Sequence, residues 1–252
     1  MSTLARLNCP SCGSPIEIVD DSPTIKCPYC GSIVAVPAEL RGQRAASEAA
    51  GSNASAGNIL FEDDFSGPAG GWETGRDYGV TADYNGGGYR LRVTDDEGDR
   101  EEVSGGQYKD VSVEVDATRV RGPSDGAFGI VCRNSDAGTF SFGISADGYY
   151  GIYKAQYGED EEDDDEWTLA ESKRGDAIKR GDNVTNHIRA DCVGAKLTLY
   201  VNGQKMLEVE DPDYDPEYDE AGDVGVFAAA GDSGKRGLEV IFKNFVVGSA
   251  AA

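Results

Sequence analysis

Histidine is almost absent: His187 stands alone among 252 residues. A serine or cysteine nucleophile has a single base to draw on, and a multi-histidine metal centre has no material. Positive charge is also scarce, with 23 Lys and Arg against 46 Asp and Glu and a formal net charge of −23. Phosphate backbones need clustered cations, and no basic stripe with interleaved aromatics occurs, which disfavours nucleic acid as a partner. No run approaches the roughly 20 apolar residues that span a bilayer, which argues against membrane insertion. Met1 to Asn8 lacks the apolar stretch of a signal peptide, so the cytoplasm is the expected compartment.

Cysteine is sparse but patterned. Cys9-Pro-Ser-Cys12-Gly13 and Cys27-Pro-Tyr-Cys30-Gly31 repeat one knuckle, with fourteen residues between the two inner cysteines. Two residues between thiolates let each knuckle close on a tetrahedral ion, and Gly13 and Gly31 can take the tight turn. The spacing predicts one structural zinc per chain on Cys9, Cys12, Cys27 and Cys30, with no position open for catalysis. These knuckles resemble the zinc ribbons of bacterial proteins. Zinc thiolates fit a reducing compartment. Cys132 and Cys192 lie in apolar strands and are expected to be buried free thiols.

After Pro37 the composition turns to Ala, Gly, Ser, Glu and Arg. Residues 38–58 therefore read as a flexible linker between a ribbon at 1–37 and a larger domain at 59–248. The larger part is built of short alternating runs. Val111-Ser-Val-Glu-Val-Asp116 sets three valines on one face, and Asp147-Gly148 and Asn202-Gly203 are hairpin signals. Roughly ten to fourteen such strands predict two packed antiparallel sheets.

Leu60-Phe-Glu-Asp-Asp-Phe-Ser66, Gly71-Trp72 and Tyr84-Asn-Gly-Gly-Gly-Tyr-Arg-Leu91 resemble the opening of bacterial concanavalin A-like (laminin-G-like) jelly-roll domains. Leu197-Thr-Leu-Tyr-Val-Asn-Gly203 and Val240-Ile-Phe-Lys-Asn-Phe245 continue the likeness. The resemblance implies a mainly β chain, a small zinc ribbon plus a two-sheet antiparallel jelly-roll sandwich. It points to a superfamily of lectins, sugar-binding modules, protein-interaction domains and glucanases.

Glucanases of that kind carry E-x-D-x-x-E on one strand, because cleavage needs carboxyl groups on both sides of the bond. Glu114-Val-Asp116 fits the first two positions, but Arg119 stands where the last acid belongs. The intervening valines predict an ordinary solvated face, so the chain is expected not to be an enzyme. Glu159 to Glu166 is an unbroken acidic run that reads as a solvated loop. Asp211, Asp213, Asp215 and Asp219, in a segment stiffened by Pro212 and Pro216, are the candidate calcium ligands, with Asp63 and Asp64 as further ones. Tyr150 and Trp167, each beside a turn or loop, are the candidate ligand contacts. The expected function is a non-catalytic binding or adaptor protein that recognises a protein surface or a glycan, with the ribbon as a second docking module. The alternatives are a structural subunit of a homo- or hetero-assembly and a sugar hydrolase.

Overall fold

A computed structural model describes residues 6–8, 15–17, 24–26, 33–35, 58–77, 79–94, 99–157, 165–172, 175–214, 221–231 and 237–250. The chain divides into two compact units, Met1–Ala54 and Ser55–Ala252. In the first, β1 (Arg6–Asn8) pairs antiparallel with β2 (Pro15–Glu17), and β3 (Thr24–Lys26) with β4 (Ile33–Ala35). Cys9, Cys12, Cys27 and Cys30 lie outside the described residues, as does the expected linker up to residue 57.

The second unit is a sandwich. In chain order its strands are β5 (Ile59–Asp63), β6 (Gly75–Asp77), β7 (Val80–Tyr84), β8 (Tyr89–Val93), β9 (Asp99–Val103), β10 (Val111–Arg121), β11 (Ala127–Ser135), β12 (Gly138–Ser145), β13 (Tyr150–Gln156), β14 (Asp165–Ser172), β15 (Val184–Val193), β16 (Lys196–Val201), β17 (Gln204–Glu210), β18 (Asp223–Ala229) and β19 (Glu239–Ser249). A nine-stranded sheet runs β17-β16-β15-β10-β19-β8-β7-β6, with β5 also on β19. A six-stranded sheet runs β14-β13-β12-β11-β18-β9. Among the described residues no helix is long and apolar enough to cross a membrane.

Alternation builds the layer between the sheets. Val111, Val113, Val115 and Ala117 of β10 are buried, while Ser112, Glu114, Asp116 and Thr118 lie on the other face. Phe128, Ile130, Phe142, Ile144 and Ile152 of the smaller sheet belong to the same core. Each such side chain stabilises the fold by ~1.5–3 kcal/mol on burial, which is what drives the two faces together. The hairpin turns sit where Asn-Gly and Asp-Gly stand: Asn202 has φ 51 and Gly203 φ 81, and Gly148 has φ 99.

Asp63 organises the entry into the sandwich. Its Oδ1 accepts the Phe65 backbone N–H at 2.8 Å and its Oδ2 accepts Trp72 Nε1–H at 3.0 Å. Phe65 is thereby held at φ 59, a costly conformation for a bulky residue. Its fully buried ring stacks on Tyr89 at 5.6 Å and meets Trp72 edge-on at 4.9 Å, which offsets that cost.

Cys132 and Cys192 are fully buried free thiols, one from each sheet, within hydrogen-bonding reach of each other. Burial, and then the neighbouring Cys192, pushes the Cys132 thiol well above its usual range, so it stays protonated and unreactive. Brief alkylation of the native protein should leave both residues unmodified, and denaturant should expose both, as read by peptide mass spectrometry. Rapid native labelling of either one would show that the layer between the sheets is open.

Candidate functional site

Strand register sets out the outer face of the six-stranded sheet in rows, because directly paired residues share a face. One row reads Glu101, Phe227, Gly129, Gly143, Gly151 across five strands. The next reads Val103, Gly225, Val131, Ser141, Tyr153. Three adjacent glycines make backbone the floor of the first row. None of the three has a positive φ, so what each supplies is room.

The room is filled by rings. A Cβ on Gly143 would stand 3.0 Å from Phe227 Cζ, while one on Gly129 would meet the Phe142 carbonyl first and then Phe227 Cε1 at 3.1 Å. One on Gly151 would stand 2.5 Å from the Tyr153 hydroxyl oxygen. The rings of Phe227 and Tyr153 therefore lie down across the glycines. Together they line a hollow of about 900 Å3, shared with Glu101, Glu73, Asp77 and Ser141. Glu101 is braced in it: Oε1 accepts from Ser141 Oγ at 3.2 Å and Oε2 from Asn134 Nδ2 at 2.6 Å. Recumbent aromatic rings beside carboxylates and hydroxyls suit a ligand with one apolar face and many hydroxyl groups.

The outer face of the nine-stranded sheet is arranged in the opposite way. Register places Asp116 of β10 across from His187 of β15. His187 Nδ1 lies 2.9 Å from Asp116 Oδ1 and Nε2 lies 3.1 Å from Glu114 Oε2. A bulge in β19, with Asn244 at φ 53, aims Asn244 Nδ2 at Asp116 Oδ2 over 2.8 Å. Hydrogen bonds donated to Asp116 and then to Glu114 raise the His187 pKa to about 9, so the ring is an imidazolium between two carboxylates. The hydrogen bond from His187 holds Glu114 below its usual range. Burial alone would raise Asp116, but His187 and Asn244 outweigh it and lower that carboxyl too. The cluster is closed upon itself. Arg119, where a third acid would stand, is tied to Asp182 and to the carbonyl oxygens of Gly122 and Pro123.

The other sequence candidates fall in separate places. Tyr150 packs against the core and pairs with inward-facing Ile144. Trp167 of β14 pairs with Lys154, one residue out of register with the platform residue Tyr153. Asp211 is buried and bonded to Lys154 Nζ at 2.8 Å, and its Oδ1 accepts the Asp213 N–H at 3.1 Å. Asp64 accepts from Ser66 N–H at 2.8 Å, and hydrogen bonds from the Ser66 side chain and backbone hold its carboxyl low. Asp215 and Asp219, like the four knuckle cysteines, lie outside the described residues. Among the described residues no group of three or more His, Cys, Asp or Glu could hold a metal ion. The expectations of zinc and calcium as cofactors are corrected accordingly: Asp63, Asp64 and Asp211 are committed to turns and an ion pair.

Solved structures share this sandwich. The carbohydrate-binding module CBM66 of Bacillus subtilis matches 71% of the chain and 96% of its own, at 18% identity and a TM-score of 0.54. A Bacillus subtilis protein of unknown function with a galectin-like fold matches 77% of the chain and 97% of its own, at 13% identity and 0.59. A Bacteroides ovatus mixed-linkage glucan GH16 protein, solved with a product, matches 75% of the chain and all of its own, at 12% identity and 0.51. The likeness is one of fold: a two-sheet antiparallel jelly-roll sandwich. No family profile matches the chain, and no curated protein matches it in sequence.

Two expectations change with this finding. A glycoside hydrolase shares the fold, so the reading that the chain is no enzyme does not stand. The missing acid at Arg119 speaks for one strand only. The cytoplasmic reading is corrected as well, because solved structures that share the fold include a carbohydrate-binding module and a GH16 protein, and the fold gives no ground for that compartment.

The imidazolium cluster makes a signed prediction. Its contribution is complete below the ordinary histidine pKa of 6.5 and is lost as pH rises through about 9. Denaturant unfolding should show a wild-type advantage over His187→Gln of ~1–2 kcal/mol near pH 6, allowing for solvent screening, that shrinks towards zero near pH 10. A difference that does not change with pH would mean that the ring is held neutral.

Proposed function

We propose that the second unit binds a glycan along the outer face of its six-stranded sheet, with the rings of Phe227 and Tyr153 as the stacking platform. The observation that carries this is the glycine row Gly129, Gly143 and Gly151, against which Phe227, 8% exposed, and half-buried Tyr153 lie where they line the hollow. A core would not need that geometry, and a sugar ring would: its C–H face covers the aromatic surface while its hydroxyls reach Glu101 and Ser141. The shared fold of a carbohydrate-binding module and a glycoside hydrolase supports the same reading.

A second reading, cleavage of the bound glycan, is favoured by the acidic side of the hollow. Glu101 stands in the floor row next to Phe227, and Glu73 and Asp77 line the same space, so carboxyl groups on different segments meet the ligand. The domain division remains part of the proposal: a small unit at 1–37 and a linker at 38–58 would hold the sandwich near a second contact and raise its effective concentration there.

An array of soluble glycans should yield one bound class. Titration with that glycan should show Tyr153→Ala and Phe227→Ala each weakening affinity by about tenfold, the equivalent of one stacking contact. Unchanged binding by the double variant, or no glycan bound by the full chain, would overturn the assignment. If the same glycan is cleaved, release of reducing ends should fall at least a hundredfold in Glu101→Gln. Turnover that survives that change would place the acid elsewhere.

A further inference from the structure

Two thiols meet in the layer between the sheets. Cys132 comes from β11 of the smaller sheet and Cys192 from β15 of the larger, and both are fully buried. Their side chains lie within hydrogen-bonding reach of each other. β11 and β15 approach to within 8 Å between Cα atoms, nearer than the ~10 Å that separates most stacked sheets.

The backbone on either side of this meeting is held by contacts that do not involve sulfur. Arg133, the residue after Cys132, lies between the sheets with φ 52. Its Nε donates to the Lys109 carbonyl at 3.0 Å and its Nη2 to the Gly194 carbonyl at 2.9 Å. Lys109 leads into β10, whose Val111 pairs with Cys192, and Gly194 follows β15. One side chain of the smaller sheet thus grips both strands of the larger one beside Cys192. Asp110 completes the brace: its Oδ1 lies 3.5 Å from Arg133 Nη2 and accepts the Gly194 N–H at 2.7 Å. A disulfide forms without strain only where the backbone already holds two side chains face to face, and this brace does so next to both cysteines.

We propose that Cys132 and Cys192 are the site of an inter-sheet disulfide, made while the chain folds with a disulfide such as oxidised glutathione as the oxidant. The finished fold seals both sulfurs, so the exchange precedes closure of the layer. One cysteine thiolate attacks a glutathione sulfur and releases the first glutathione. The other cysteine thiolate then attacks the protein sulfur of that mixed disulfide and releases the second. The Sγ–Sγ bond replaces the glutathione S–S bond, two electrons pass to glutathione, and the two thiol protons end on the two glutathiones released. The bond closes a loop of roughly 60 residues that holds β12, β13 and β14. It therefore ties the strands that carry Gly143, Gly151 and Tyr153 to the opposite sheet. A bridge between the sheets of a sandwich can be wholly internal, as in antibody domains.

The test dilutes the reduced, denatured full chain into mixed reduced and oxidised glutathione. Free thiols are then blocked under denaturing conditions and the peptides mapped by mass spectrometry. The Cys132 peptide should be recovered joined to the Cys192 peptide, and dithiothreitol should split the pair only when denaturant is added. The oxidised sandwich should melt about 5–15 °C above chain refolded with reductant, because the crosslink restricts the unfolded state. Cys132→Ala and Cys192→Ala should each abolish that difference. Both variants keep Cys9, Cys12, Cys27 and Cys30, so a shift caused by those four would persist in them. Recovery of Cys132 and Cys192 as free thiols, or joined to glutathione or to the other four cysteines, would overturn the proposal. So would a joined pair that melts no higher than the reduced chain, or a chain that folds with reductant but not with oxidised glutathione. If one alanine variant does not fold, the other carries the comparison, and the peptide linkage is read without either.

Discussion

Two sheets stay face to face only if nothing charged is left uncompensated between them. In a chain with 46 acids and 23 bases, that requirement governs where chemistry can be placed. Alternation along strands such as β10 meets most of it, sending Glu114 and Asp116 outward where the valines face in. At the ends of the layer, where polar groups are buried, several charges are paired: Lys154 has Asp211, Arg119 has Asp182 and two carbonyl oxygens, and Arg133 lies 3.5 Å from Asp110. Among the described residues, the other polar groups stand mainly on the two outer faces and at the ends.

Those faces spend their polar groups differently. On the nine-stranded sheet, Glu114, His187, Asp116 and Asn244 satisfy one another across three strands. Little is left to offer a ligand, and the cluster acts as a lateral tie that is strongest when the imidazole carries its proton. On the six-stranded sheet, the middle strands carry glycine where the other sheet carries charge, the rings of Phe227 and Tyr153 lie over that backbone, and polar groups stand at the edge of the hollow. The contrast follows from side-chain size: where strands lack Cβ atoms, rings from neighbouring positions can lie over the backbone.

The sandwich was legible because its signals are local. Val111, Val113 and Val115 alternate in plain view, and the Asn202-Gly203 and Asp147-Gly148 turns need only their own backbone preferences. The site was not legible, for the reverse reason. Gly129, Gly143 and Gly151 matter through register, which only long-range pairing fixes, and in sequence a glycine reads first as a turn. Strand β9, which supplies Glu101, has the unpromising sequence Asp-Arg-Glu-Glu-Val and is a strand because β18 pairs with it. Glu114, Asp116 and His187 were each visible as residues, but their meeting depends on β10 and β15 lying side by side. Tyr153 belonged to a visible supply of tyrosines. Phe227, in the closing strand, gave no sign that its ring would lie outward.

A floor made of backbone also has a depth that can be set one carbon at a time. At Gly143 and Gly151, what an added methyl would meet is a ring, while the hydrophobic layer lies on the far side of the same strands. A lineage can thus raise, tilt or narrow its groove by changing positions that the core never feels. Such a scaffold keeps inheritance of shape apart from inheritance of specificity, and a family built on it can diversify its ligands faster than its fold.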